Sequence, residues 1–212
     1  LPYGRQSITE EDIASVVRVL RSPMITQGPT VPAFEQAVAT SVGAKHAVAV
    51  NSATSALHIA CLALELGHGD WLWTSPITFV ASANCAMYCG ASVDFVDIDP
   101  STGLICVKAL RRKLEFAERI GKLPKVLVPV HLTGASCEMT EIIALAKRYG
   151  FVVLEDASHA IGGTYEKKPV GSCNYSSICV FSFHPVKIIT SGEGGIATTN
   201  DPELALKMAE LR

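Results

Sequence analysis

Short apolar runs alternate along the chain with stretches whose apolar residues recur every three or four positions. The runs at 47–50, 71–74, 93–96, 126–130, 151–154 and 178–181 have the length and composition of buried strands. Residues 196–199 are of the same type. Between them lie the helices. Thr9-Glu10-Glu11-Asp12 reads as an N-terminal capping box before Ile13, Val16, Val17 and Leu20 at helical spacing. Asn51-Ser52-Ala53-Thr54 opens an apolar helix straight after a strand. The pattern predicts further helices over 79–88, closed by Gly90, and over 138–149, stopped by Gly150. The last candidate, 202–211, runs to the chain end without a stop signal and reads as interrupted.

Near-continuous apolar strands separated by helices predict an α/β layered fold around a mostly parallel sheet. No repeat, low-complexity tract or Gly/Ser-rich linker divides the 212 residues, so one domain is expected.

Composition sharpens this picture in two places. Apolar residues make up 49% and charged residues 18%, where soluble domains carry roughly 25% charged. A compact monomer of this mass exposes roughly 9,500 Å². The apolar excess therefore predicts either a large face buried on a partner or a longer parent polypeptide. A net charge of −2 and a pI near 6.3 argue against a basic nucleic-acid binder. No window supplies the run of about twenty apolar residues that a membrane span needs; the nearest, 53–66, is broken by His58 and Glu65 and reads as a core helix. The polar start predicts no signal peptide. Seven cysteines without a CxxC pair read as reduced thiols in a cytoplasmic protein. Cys85 and Cys89 share a helical face but offer only two ligands, so no metal site is expected.

In open α/β sheets ligands gather beyond the carboxyl ends of the strands, and three polar clusters fall there. Asn51-Ser52-Ala53-Thr54-Ser55 puts hydroxyls at a helix N-terminus, either as an anion site suited to a phosphate or as a simple cap. Glu155-Asp156-Ala157-Ser158-His159 places acids at the end of a buried strand, costly unless they meet a donor or cation. Asp156 with His159 suits a metal pair or a carboxylate facing a protonated ring nitrogen. Ser182-Phe183-His184-Pro185-Val186-Lys187 sets a lysine among apolar residues, either as a Schiff-base nucleophile or as a surface lysine lying over a loop. The nearby Gly192-Glu193-Gly194-Gly195-Ile196-Ala197 fits GxGxxA, but a strand follows it, so it is no dinucleotide fingerprint. A phosphate cradle, a buried carboxylate and a lysine are together what pyridoxal 5′-phosphate (PLP) requires.

These motifs, with Thr26-Gln27-Gly28-Pro29 and Gly192-Glu193-Gly194-Gly195, resemble the DegT/DnrJ/EryC1/StrS family of sugar aminotransferases over nearly the whole chain. The finer match, carried by Ser52-Ala53-Thr54-Ser55-Ala56, His184-Pro185-Val186-Lys187 and the Tyr3 segment, is to its pseudaminic acid branch. The resemblance implies an aspartate-aminotransferase-like (PLP fold type I) large domain, with residues 1–212 holding the N-terminal segment and most of that domain and lacking the small C-terminal one. It implies that Lys187 carries PLP as a Schiff base and moves the proton, and that Asp156 pairs with the pyridinium nitrogen. His159 would approach the ring hydroxyl, Thr54, Ser55 and Ser182 would hold the phosphate, and Phe79 would stack on the ring. Tyr3, Pro23, Met24, Ile25, Thr26, Ala53 and Ser182 would meet the nucleotide sugar. The implied reaction moves an amino group, from L-glutamate, to C4 of a UDP-linked 4-keto-6-deoxy-N-acetylhexosamine, in a homodimer with shared active sites. The alternatives are another NDP-4-keto sugar as acceptor, or a non-catalytic PLP-binding or dimerisation fragment.

Overall fold

The computed structural model describes residues 5–212, so Tyr3 lies outside the described residues. Seven strands form the central sheet: β1 (His46–Val50), β2 (Trp71–Thr74), β3 (Ser92–Phe95), β4 (Val126–Val128), β5 (Val152–Asp156), β8 (Ile178–Ser182) and β9 (Gly195–Thr199), in the order β1-β9-β8-β5-β4-β2-β3. Only β9 runs against its neighbours; the other pairings from β8 to β3 are parallel. A two-stranded ribbon, β6 (Thr164–Tyr165) with β7 (Lys168–Pro169), stands apart. The mostly parallel α/β sheet expected from the alternating pattern is the observed one.

Helices cover both faces. On one, α3 (Ala53–Ala63), α4 (Ala81–Tyr88) and α7 (Pro202–Leu211) bury Leu57, Ala60, Cys85 and Met208 against Val128, Leu154 and Val180. On the other, α5 (Val107–Arg119) and α6 (Met139–Tyr149) bury Leu110, Leu114 and Ile142 against Trp73, Leu127 and Val153. A third cluster packs α2 (Thr30–Val42) through Val38 and Val42 onto Phe181 and Ile196. Gly150 ends α6 in the left-handed conformation at φ 78°, as the pattern predicts.

Several boundaries differ from the pattern. The helix expected from residue 79 starts at Ala81 with Val80 as its cap, because the segment after Pro76 turns and the Thr78 hydroxyl meets that of Ser82 at 2.8 Å. The run 126–130 stops pairing regularly at Val128, since Pro129 has no N–H to give the ladder. The periodicity reading also passed over α2 and α5, although Leu110, Leu114 and Ala117 of α5 mark one face.

The first helix, α1 (Glu10–Leu20), has the predicted capping box, with Asp12 N–H donating to Thr9 Oγ1 and Thr9 N–H to Asp12 Oδ2. Its apolar stripe nevertheless lies open, with none of its residues buried. The accessible surface is 11588 Å², well above the roughly 9,500 Å² of a compact monomer. Among the described residues, no helix is long and apolar enough to cross a membrane.

Candidate active site

The carboxyl ends of β1, β4, β5 and β8 meet at one edge of the sheet, joined there by the start of β9. Ser52 caps α3, its Oγ accepting the Ser55 N–H at 3.2 Å. The N–H groups of Ala53 and Thr54 have no acceptor among the described residues, so they point the positive end of the helix at whatever sits above it. Gly195 of β9 abuts this turn so closely that a Cβ would lie 2.3 Å from the Ser52 carbonyl carbon.

Asp156 ends β5 and is 4% exposed. Its Oδ2 accepts the Ser82 hydroxyl at 2.6 Å, and its Oδ1 accepts the Ser158 hydroxyl at 2.7 Å and the Ser158 N–H at 3.1 Å. No cation is within pairing distance among the described residues. A buried carboxylate held only by neutral donors keeps its negative charge available to a ligand.

Lys187 follows β8 on a short turn, its N–H donating to the His184 carbonyl at 2.9 Å. Burial holds its amine below the ordinary lysine range, against the opposing pull of Asp156. His159 is likewise held below its usual value, first by burial and then by the charge of Lys187, with Asp156 opposing. A neutral lysine is a nucleophile and a proton acceptor; a charged one is neither.

These groups line one cavity of about 260 Å³, together with Ala53, Thr54, Phe79, His131, Ser182, His184 and Glu193. The structure thus brings together Lys187, Asp156, His159, Thr54, Ser182, Phe79 and Ala53. Ser55 is in the capping turn, but its hydroxyl donates to Asn51 Oδ1 at 2.6 Å and does not line the cavity. Pro23, Met24, Ile25 and Thr26 are exposed and stand outside the lining. Phe79 is 71% exposed, so it is no part of this chain's core.

Three lining or supporting groups were missed in the sequence. Ser82 and Thr78 sit four apart, a helical spacing that a search for chemistry passes over. His131 lines the cavity while its Nε2 lies 2.7 Å from Glu155 Oε2, both side chains buried. The signal available was a histidine one residue beyond an apolar strand run. Among the described residues no group of three His, Cys, Asp or Glu is placed to hold a metal.

Residues 6–212 match the DegT/DnrJ/EryC1/StrS aminotransferase family. The chain belongs to it. Its similarity to members of the DegT/DnrJ/EryC1/StrS family runs over its full length. The spore coat polysaccharide biosynthesis protein SpsC of Bacillus subtilis strain 168 is 44% identical, over 100% of this chain and 52% of that one. The UDP-4-amino-4-deoxy-L-arabinose–oxoglutarate aminotransferase of Shewanella sediminis is 40% identical, over 100% and 52%. Among solved structures, Helicobacter pylori PseC, an aminotransferase of pseudaminic acid biosynthesis, is 37% identical with a TM-score of 0.89, over 98% of this chain and 54% of that one. A sugar aminotransferase of Streptococcus pneumoniae in its PLP form is 29% identical with a TM-score of 0.86, over 100% and 56%. The chain therefore spans about half the length of the relatives it matches.

Proposed function

We propose that this chain is the PLP-binding part of a nucleotide-sugar aminotransferase. The observation that carries the reading is the convergence of Lys187, the neutral-donor-held Asp156 and the open amides of α3 on one cavity. The donor set suits PLP in each part: helix amides and the Thr54 and Ser182 hydroxyls for a phosphate, a buried carboxylate for a ring N–H, and an amine that burial holds below the ordinary lysine range for an aldehyde carbon. When bound, PLP supplies an electron sink for the charge left by removing a proton from the amino-bearing carbon. Asp156 would pair with the ring N–H that makes the sink effective. Lys187 would hold the cofactor and serve as the group that moves the proton. Phe79 and His159, both at the cavity wall, would help to hold the ring.

The finer reading takes the acceptor as a UDP-linked 4-keto-6-deoxy-N-acetylhexosamine and the donor as L-glutamate, with Tyr3, Pro23 to Thr26 and Ala53 as the residues that the family resemblance assigns to the nucleotide sugar. The likeness to PseC supports the sugar, and the likeness to an oxoglutarate-linked enzyme supports the donor. The same reading makes residues 1–212 most of a large domain working as a homodimer. Exposed Ile77, Phe79, Val80, Val186, Ile188 and Ile189, in the segments that line or flank the cavity, fit a face that a second copy covers. Seven free thiols fit a cytoplasmic setting.

The test is amino transfer from L-glutamate to a panel of UDP- and dTDP-4-keto sugars, read by mass spectrometry with the full-length protein. Conversion of the N-acetylated 6-deoxy UDP sugar ahead of the others is the expected result. Conversion of a different sugar moves the substrate but keeps the enzyme class; no conversion of any, with PLP bound, overturns the reading.

A further inference from the structure

We infer that the backbone N–H of Thr133, held in place by the buried His131–Glu155 pair, fixes the ring tautomer of His159 at the cavity wall. His159 Nδ1 accepts the Thr133 N–H at 3.2 Å. A nitrogen that accepts carries no hydrogen, so the single ring hydrogen of the neutral imidazole is on Nε2. The cavity is thus offered one donor from this ring.

Thr133 delivers that N–H at a conformational cost. Its backbone is left-handed, φ 56° and ψ 14°, a region that a β-branched residue avoids. Such strain persists only where the surroundings over-determine it, and here they do. At the base of the turn, His131 Nε2 meets Glu155 Oε2 at 2.7 Å, and the Cys137 N–H donates to His131 Nδ1 at 3.1 Å. The second acceptance leaves His131 Nε2 as its donor, so Glu155 receives a hydrogen bond there and another from the Ser176 hydroxyl. The His131 N–H is bonded to the Asp156 carbonyl at 3.0 Å, and the Gly134 N–H to the His131 carbonyl at 3.1 Å. Gly134 completes the approach: at φ 93°, a Cβ there would lie 2.9 Å from the His159 carbonyl oxygen. A buried carboxylate with no cavity role is thereby explained as the anchor of the turn that addresses His159. His131, Glu155 and Thr133 are positioning residues in this account.

The charged groups facing His159 are Lys187, from the turn after β8, and Asp156, from the end of β5; they act in opposite directions. The Thr133 N–H is the hydrogen bond made to this ring among the described residues, and it goes to Nδ1. The inference rests on the PLP reading only for what the Nε2–H donor meets, since the tautomer belongs to the free chain.

The test is long-range ¹H–¹⁵N NMR of the histidine rings in the cofactor-free protein, with His159→Asn to assign the signal. The expected wild-type spectrum shows His159 as the Nε2–H form. In Gly134→Ala, the added Cβ pushes the turn off His159 and the ring becomes a mixture of tautomers. Thr133→Gly, which relieves the strain and keeps the N–H, retains the wild-type tautomer. Glu155→Gln retains it too, because the amide oxygen still accepts from His131. An Nδ1–H signal in the wild type, or an unchanged spectrum in folded Gly134→Ala, overturns the assignment. PLP binding is read separately by absorbance, so a chain that refuses PLP but shows the Nε2–H form keeps this inference and fails the functional one.

Discussion

The Ser82 hydroxyl donates to Asp156 Oδ2 across 2.6 Å, although 74 residues separate the two in sequence. The bond ties the first turn of α4 to the tip of β5 and fixes one carboxylate oxygen from the helix side, while Ser158 fixes the other. Because all these donors are neutral, the carboxylate is oriented without being neutralised. That combination suits an electrostatic partner for a bound cation or ring N–H better than a structural ion pair.

Gly195 is the tightest junction in the site. Gly195→Ala should force β9 and the α3 N-terminus apart, since the new Cβ would meet backbone atoms of Ser52 and Ala53 within 2.4 Å. A loss of about 1–3 kcal/mol is expected from such overpacking. It should appear as a lowered denaturation midpoint together with weaker PLP retention. A variant as stable as wild type that holds PLP equally well would show that the turn can shift freely.

Lys187 should carry the cofactor. Borohydride reduction of the PLP-loaded protein, followed by peptide mapping, is expected to leave the pyridoxyl mass on Lys187. Lys167 and Lys168 lie in and beside the exposed β6–β7 ribbon and should stay unlabelled. Label on either one contradicts the site.

The strand-rich half of this architecture was legible because buried parallel strands leave apolar runs, with the motif acids at the end of one strand and the lysine on the turn after another. Gly150 and the Thr9 box marked helix limits through local chemistry alone. What was not legible depends on tertiary approach. Ser55 reads as a phosphate ligand in sequence, whereas in the structure its N–H donates to Ser52, the cap of α3, and its hydroxyl to Asn51. Ser82 and His131 acquire meaning only when α4 and the turn after β4 close on Asp156 and Glu155. The stripe of Ile13, Val16 and Leu20 has helical spacing and is exposed among the described residues, so periodicity gave the helix and said nothing of what covers it.

Asp70 offers a stability test away from the site. Its Oδ2 pairs with Lys125 at 2.9 Å and accepts the Gly67 N–H at 3.0 Å, tying the turn after α3 to β4. The Lys125 hydrogen bond holds this carboxyl below its ordinary 3.8, despite some opposing burial. A depressed carboxylate contributes stability that is present above the unfolded value and lost as pH falls through the folded one. Asp70→Asn should therefore cost about 0.5–1.5 kcal/mol at neutral pH. The gap between variant and wild type should close as pH drops below 3.8. Denaturant titrations across that range check it; a gap that persists in acid would mean the charge is not the cause.

Asp156 and Ser82 together separate charge from orientation. Asp156→Asn keeps the size, and its amide oxygen can still accept from Ser158 while its NH2 faces the Ser82 hydroxyl, which can turn to accept; the negative charge is removed. Losing one member of a buried charged pair costs about 3–5 kcal/mol, and if 3 kcal/mol of that falls on the transition state the rate drops by roughly a hundredfold. Ser82→Ala leaves the charge and removes one donor, a loss of about 1.5–3 kcal/mol for a bond to a charged group, of which only the part felt by the ring reaches the rate. A drop of roughly tenfold is the expected outcome for about half that loss. Both variants should retain PLP, because Thr54, Ser182 and the α3 amides are untouched. Single-turnover amino transfer at saturating PLP measures the three proteins side by side. The order wild type, Ser82→Ala, Asp156→Asn is required if the carboxylate works through its charge. If Ser82→Ala falls as far as Asp156→Asn, orientation rather than charge dominates. If Asp156→Asn stays within about threefold of wild type, less than 1 kcal/mol is at stake, and Asp156 is a structural acid that the proposed PLP geometry has misplaced.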